Sequence, residues 1–294
     1  MKISKLITVL LIYVFFYACV KSQVGDRHGG ISIQIRGSDT IVNLIQEWVE
    51  KFVEQNPSFN ISVTGGGSGT GFASLINGTC DIAMSSRRIE EKEKMLAESK
   101  NINPVEFKIG LDGLAVIVNK NNSVNKLTLE QLRDIFMARI TNWKEVGGRN
   151  RKIVILSRES NSGTYMFFKE RVLGVGDKNN KNEFSTQSLM MSSSQTICNE
   201  VCQNPNALGY VGMGFVDERV KPVSVAVNAE SEYVYPMPEN VMNGTYPISR
   251  PLYIYTNGES QDVVKMFIDY ALSAAGQKIV LEADFIPIRK QSVK

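Results

Sequence analysis

Hydroxyl side chains, glycines and one arginine recur in this sequence at the ends of short apolar runs, and that combination has the chemistry to hold an oxyanion. The clearest case is Thr64-Gly65-Gly66-Gly67-Ser68-Gly69-Thr70-Gly71-Phe72. It follows the β-like run 60–63 and leads into Phe72-Ala73-Ser74-Leu75-Ile76, whose apolar residues fall at helical spacing. Glycines let a backbone approach a ligand closely, and the free N–H groups at a helix start, with the helix dipole behind them, favour an anion. Ser68 and Thr70 add hydroxyl donors.

The pattern is none of the better-known glycine loops. A Walker loop needs Lys and then Ser or Thr after its last glycine, and Gly71 is followed by Phe72. The dinucleotide spacing G-x-G-x-x-G fails at Thr70 and at Phe72, and a G-x-S-x-G elbow would need glycine where Thr70 stands. Nucleotide binding and nucleophilic serine chemistry therefore have no support here.

Three further stretches carry the same residue types. Arg36-Gly37-Ser38-Asp39-Thr40 follows the alternating run 31–35 and precedes a helix whose apolar face is Ile41, Leu44, Ile45, Trp48, Val49 and Phe52. Ser38 and Asp39 occupy the places where helix caps are expected. Ser85-Ser86-Arg87-Arg88 follows the short run 81–84, before a charged helix over 90–99. Ser157-Arg158-Glu159-Ser160-Asn161-Ser162-Gly163-Thr164 lies between a strand at 152–156 and a helix at 165–172. Helix starts are expected after Gly37, Gly67, Met84 and Ser162. In an open α/β sheet the crevice at the carboxyl ends of the strands is where ligands bind, and these loops would share it.

The elements that position them alternate strand and helix along the chain. Val105 to Ile109 and the apolar run Gly113 to Asn119 read as two strands, the second able to cross between domains. Thr128, three residues before Gln131, reads as a capping box. Residues 177–186 read as a polar surface loop, and residues 262–272 and 277–281 as C-terminal helices. Residues 247–255 form a candidate return crossing. Two crossings divide the chain into one lobe of residues 31–114 with 252–294 and a second of residues 115–251.

Composition bounds the rest. With 294 residues, 43% of them hydrophobic and 21% charged, the chain is long enough for two medium domains and is neither disordered nor a multi-spanning membrane protein. A formal charge of +3, without basic runs interleaved with aromatics, argues against a nucleic-acid surface. Met1-Lys2-Ile3-Ser4-Lys5 is a basic start, residues 6–16 are apolar, and Tyr17-Ala18-Cys19 ends the segment with a small residue before cysteine. That order, over residues 1–19, resembles a bacterial lipoprotein signal, which implies export and a lipidated Cys19. The alternative is an uncleaved anchor, for which the run falls short of the about 20 residues a spanning helix needs. Residues 20–30, with the lone His28, read as a tether. Of the other cysteines, Cys80, Cys198 and Cys202, the last two are spaced i, i+4, which suits a disulfide poorly. No histidine cluster or paired CxxC accompanies them, so no metal or other cofactor is expected.

Taken together, Gly37-Ser38-Asp39-Thr40, Gly66-Gly67-Ser68-Gly69-Thr70-Gly71, Asp81-Ile82-Ala83-Met84-Ser85-Ser86-Arg87 and Arg158-Glu159-Ser160-Asn161-Ser162-Gly163-Thr164 resemble, in order, the motifs of the PstS family, the phosphate-binding proteins of ABC phosphate transporters. Asp112-Gly113-Leu114-Ala115-Val116 and Asn204-Pro205-Asn206-Ala207-Leu208-Gly209-Tyr210 are similar in style, and the likeness covers roughly residues 31–290. The resemblance implies an α/β, two-lobed periplasmic-binding-protein fold of type II with its ligand in the interlobe cleft. It implies capture of inorganic phosphate outside the cytoplasm and delivery to the membrane permease subunits of an ABC transporter, by a protein acting as a monomer. Carried over residue by residue, it assigns phosphate contacts to Ser38, Thr40, Ser68 and Ser86 in one lobe and to Arg158, Ser162, Gly163 and Thr164 in the other.

One position departs from the family's pattern. Some members carry an aspartate where Ser86 stands, and its carboxylate accepts the proton that phosphate carries and sulfate lacks. Asp39 and Asp112 are the candidate replacements, against the plainer readings of a helix cap and a polar residue in a hinge strand. Another tetrahedral oxyanion such as sulfate is the competing ligand. The competing class is an enzyme, a secreted phosphatase or serine hydrolase, and a sensor or adhesin using its outer surface is a further reading. A Ser-His-Asp triad cannot be assembled when the lone histidine lies in the tether.

Overall fold

The computed structural model describes residues 31–175, 180–260 and 262–288. Cys19 and the tether lie outside them, as does part of the loop read at 177–186. The first lobe opens with β1 (Ile31–Gly37), α1 (Val42–Gln55), β2 (Phe59–Thr64), α2 (Ser68–Ile76), β3 (Ile82–Ser85) and α3 (Glu91–Ser99). β1 lies between β2 and β3, parallel to both, with Ile35 opposite Val63 on one side and Ile82 on the other. Three parallel strands thus end on the same edge, and the loops that follow them converge. α1 lays Leu44, Ile45, Trp48 and Phe52 against the sheet, as its spacing predicts.

The cap expected at Ser38 or Asp39 is not made. Ile41 is the residue before α1 and no side chain caps that helix. Ser38 and Asp39 turn into the interlobe region instead, where their oxygens have other partners.

The next element differs from the two strands expected. β4 (Pro104–Asn119) is one continuous strand of 16 residues, with Gly110, Leu111 and Asp112 inside it. It leads to β5 (Lys126–Thr128), α4 (Leu129–Phe136), β6 (Val154–Arg158) and α5 (Gly163–Phe168), with a π-helical turn over Lys169–Leu173. The capping box of α4 is present, with Gln131 N donating to Thr128 Oγ1 at 3.1 Å and Thr128 N to Gln131 Oε1 at 2.9 Å. β7 (Leu189–Met191), α6 (Ser194–Gln203), β8 (Ala207–Gly212), β9 (Val220–Pro222), β10 (Ser224–Ala226) and α7 (Pro238–Met242) complete that region. The chain returns along β11 (Ser249–Asn257) to α8 (Asp262–Leu272), α9 (Ala274–Glu282) and β12 (Ile286–Pro287).

The long sheet runs β2-β1-β3-β11-β4-β8-β6-β7, with β9 and β12 also on β4 and a separate β5-β10 pair. β4 makes it a two-lobed object. Its first part pairs with β11 in the register Asn257↔Pro104 to Ser249↔Gly113, and its last part pairs antiparallel with β8 from Leu114 to Val118. Hydrophobic packing divides at the same place. One core gathers Ile33, Trp48, Phe52, Ile82, Ile109, Ile254, Phe267 and Val280, and the other gathers Leu114, Val116, Phe136, Trp143, Leu156, Phe168, Val201 and Tyr210. A third, smaller cluster of Phe72, Leu75, Cys80, Ala83, Tyr253 and Tyr255 belongs to the first lobe. The two lobes joined by two strands leave the polar strand ends facing each other between them.

Cys80, Cys198 and Cys202 are all free. The last two sit on one face of α6, and Cys198 Sγ donates to Phe215 O at 3.2 Å. Burial pushes the Cys198 and Cys80 thiols up to about 12, so both remain protonated and unreactive at neutral pH. Among the described residues no helix is long and apolar enough to cross a membrane.

Candidate functional site

The loops after β1, β2, β3 and β6 meet between the lobes. Ser38, Thr40, Ser68, Ser86, Arg158, Ser162 and Thr164 are all buried there. Two of the four expected helix starts contribute their first residues: Ser68 opens α2, and Gly163 and Thr164 open α5. α1 begins only at Val42 after a turn, and the chain beyond Ser86 runs on to Glu91 before α3 starts.

On the first lobe, Ser38 N donates to Met84 O at 2.8 Å, which ties the β1 loop to the end of β3. Ser38 Oγ accepts from Thr40 N at 3.2 Å. Gly67 adopts φ +93°, a left-handed conformation that costs little only for glycine, and this aims the start of α2 at the other lobe. Ser68 Oγ accepts from Ser86 N at 3.1 Å and lies 3.4 Å from Ser86 Oγ, so two strand ends share one hydroxyl cluster. Arg87 turns away, donating to both oxygens of Glu93 at 2.7 Å and stacking on Phe72.

On the second lobe, Ser162 caps α5, its Oγ accepting from Thr164 N at 3.2 Å and Tyr165 N at 3.4 Å. Arg158, 1% exposed, ends β6. Its Nη2 donates to Asp39 Oδ2 at 2.6 Å and Ser192 O at 2.9 Å, its Nε to Met191 O at 3.3 Å, and its Nη1 to Ser194 Oγ at 3.3 Å. Asp39 Oδ1 accepts from Gly66 N at 2.8 Å. Asp39 therefore joins the glycine loop of one lobe to the arginine of the other.

The lobes touch through polar contacts. Thr40 Oγ1 and Thr164 Oγ1 are 2.8 Å apart, Gly69 N donates to Asn161 O at 3.0 Å, and Asn161 Nδ2 donates to Gly66 O at 3.0 Å.

Asp112 does not stand where Asp39 does. It lies in β4 at the crossing, opposite Arg250 of β11, and Arg250 Nε and Nη2 donate to its Oδ2 at 3.1 and 3.0 Å. Asp112 Oδ1 accepts from Met213 N at 3.2 Å. Burial pushes the Asp112 carboxyl up and the Arg250 guanidinium down, while their mutual attraction opposes both shifts. Arg250 escapes a reading based on glycine and hydroxyl motifs, yet its Nη2 also donates to Thr40 Oγ1 at 3.2 Å and Thr164 Oγ1 at 2.9 Å. The available signal is an acid and a base, Asp112 and Arg250, one inside each of the two crossing strands.

Two lobes on crossing strands, with hydroxyls, helix-start N–H groups and guanidinium donors between them, define the two-lobed periplasmic-binding-protein class. The model of the PBP superfamily domain matches residues 22–275. The phosphate-binding protein PstS of Bacillus subtilis is 31% identical over 308 residues, covering 100% of this chain and 97% of that protein. PstS of Pseudomonas aeruginosa is 32% identical over 86% of this chain and 81% of its own length. Among solved structures, a putative phosphate ABC transporter substrate-binding protein with bound phosphate from Clostridium perfringens aligns with TM-score 0.79 and 35% identity, over 88% of this chain and 100% of that one. An ABC-type phosphate transport receptor from Vibrio cholerae aligns with TM-score 0.69 and 32% identity, over 87% of this chain and 100% of its own. The chain belongs to the PBP superfamily and, within it, to the PstS family.

Proposed function

We propose that the protein is the extracytoplasmic substrate-binding component of an ABC phosphate transporter, closing on inorganic phosphate between its lobes and delivering it to the membrane permease subunits. The observation that carries this is the meeting of Ser38, Thr40, Ser68 and Ser86 from one lobe with Arg158, Ser162, Gly163 and Thr164 from the other in a buried interface. A multiply charged oxyanion enclosed away from water needs a donor for each of its lone pairs, because every unmatched buried polar group costs about 1–3 kcal/mol. Hydroxyls, the N–H groups opening α2 and α5, and a guanidinium meet that need. The Asp39–Arg158 pair keeps the arginine in place while balancing its charge, so the ligand is held by oriented dipoles more than by net positive charge.

The bodies that close are residues 31–114 with 252–294 and residues 115–251, hinged on β4 and β11. Asp39 is the acceptor for the phosphate proton. Each oxygen of both carboxylates already has a partner, Arg158 and Gly66 N for Asp39 and Arg250 and Met213 N for Asp112. Asp39, however, lies in the loop after β1 between Ser38 and Thr40, whereas Asp112 is wholly buried inside the hinge strand β4. The role is one of binding, not turnover, and the protein acts as a monomer. Calorimetric titration of phosphate-stripped protein tests the reading: a one-to-one binding heat at micromolar phosphate is expected, and its absence contradicts the assignment.

The protein is held at the membrane by lipid on Cys19, with residues 20–30 as the tether. The basic, then apolar, then Ala18-Cys19 order supports this. Mass spectrometry of the N-terminal peptide from cells should find Cys19 first and carrying lipid; an intact Met1, or a first residue beyond Cys19, would remove the anchor.

A further inference from the structure

We infer that Arg250 is a second ligand-holding guanidinium of the same site, donating from the hinge strand to an oxygen of the enclosed oxyanion. The inference rests on the phosphate reading and adds to it a residue that the loop motifs do not contain.

Arg250 is 2% exposed, and its donors are unevenly used. Nε and Nη2 face Asp112, Thr40 and Thr164, whereas buried Nη1 has no hydrogen-bond partner among the described residues. Asp112 balances the charge but bonds only the Nε and Nη2 edge. The nearest compensation is the ring of Phe167, 5.5 Å from the guanidinium carbon. A ring under the face of a guanidinium leaves its in-plane N–H groups unsatisfied. The other unpartnered buried donors, Arg36 Nε, Arg87 Nε and Ser188 Oγ, are single atoms in side chains outside the hydroxyl cluster. Arg250 Nη1 is a whole amino group with two hydrogens, and Nη2 of the same side chain bonds the cluster itself.

Its position fits a ligand contact. Arg250 lines a cavity of about 730 Å³ that reaches Ser86, alone of the proposed phosphate residues, and whose other walls include Arg87, Glu90, Phe167 and Lys169. Nη2 also donates to a threonine of each lobe, Thr40 and Thr164. The two hydrogens of Nη2 are shared among Asp112 Oδ2 and the two threonine oxygens, and since one threonine hydroxyl donates to the other, one threonine hydrogen is left to point at an anion. A single guanidinium thus bonds the hinge, both lobes and the ligand, so loss of its fork weakens capture and closure together.

Arg250→Ala would strand the buried Asp112 carboxylate, so it does not test the role. Two other variants do. Asp112→Asn with Arg250→Gln replaces the ion pair by a neutral hydrogen-bonded pair. Arg250→Lys keeps a cation opposite Asp112 but lacks the planar fork, and it decides the question if the neutral pair does not fold. In calorimetric titrations with phosphate, each variant that melts as cooperatively as wild type should bind roughly 10- to 100-fold more weakly, the span of a lost charge-assisted donor. Folded variants that bind within about twofold of wild type would make Arg250 a structural ion-pair residue only and overturn the inference. Wild-type protein titrated alongside separates the two assignments. No heat from wild type removes the phosphate reading and this inference with it, whereas wild-type binding beside an unchanged variant removes this inference alone.

Discussion

Arg158→Ala should weaken phosphate binding by roughly 100-fold or more, the largest effect expected of any single substitution in the cage. The guanidinium is buried, and it holds Asp39, Ser192, Met191 and Ser194 in place. Removing it takes away an oriented donor and leaves the Asp39 carboxylate uncompensated where an anion must sit. Breaking a buried ion pair from one side costs about 3–5 kcal/mol of stability, so the melting temperature should fall as well. Adding Asp39→Asn removes the stranded charge and should recover part of the lost stability, while affinity stays low because the acceptor assigned to the phosphate proton is gone as well. If Arg158→Ala binds phosphate as wild type does, the guanidinium faces no ligand and the cage is misplaced.

The second large effect needs no change of charge. A Cβ at Gly163 would fall inside van der Waals contact of Ser68 Oγ and 2.7 Å from Ser86 Oγ. Those serines belong to the opposite lobe. Ser68 Oγ cannot simply rotate away, because it accepts the Ser86 amide hydrogen at 3.1 Å, and Ser68 Cβ itself would lie 3.0 Å from the new carbon. Gly163→Ala should therefore hold the lobes apart by the width of a methyl group. Overpacking of this kind costs about 1–3 kcal/mol, which as lost closure energy is a roughly 5- to 150-fold rise in the dissociation constant. Each lobe keeps its own core, so the melting temperature without phosphate should hardly move. Calorimetry and a thermal melt check both halves; a drop in melting temperature with unchanged affinity would place the clash inside a lobe.

The sequence made the loops legible and the hinge obscure, for a physical reason. Ser38, Ser68, Ser86 and Ser162 follow apolar runs in β1, β2, β3 and β6 closely, so local spacing alone puts them on one sheet edge. The Arg250–Asp112 pair joins residues 138 apart and depends on the register of β11 on β4, which no local pattern encodes. The spacing predicts two strands, 105–109 and 113–119, where β4 is continuous; between them Gly110 passes close to β12 and Asp112 finds its base. Ser38 and Asp39 have the side chains of helix caps, and in isolation a cap is the cheaper use of them. Tertiary partners outbid it: Asp39 reaches Gly66 N and Arg158, and α1 starts without a side-chain cap. In α6, the i, i+4 pair Cys198 and Cys202 is unbridged, a spacing that fits disulfide geometry poorly.

The central claim is that the interlobe cage selects and encloses phosphate, and calorimetric titration of the stripped wild-type protein with phosphate and, separately, with sulfate tests it most directly. Saturable one-to-one binding of phosphate at micromolar concentration, with sulfate at the same concentrations giving no comparable heat, is the result the account predicts. No heat with phosphate, or equal binding of sulfate, would contradict it.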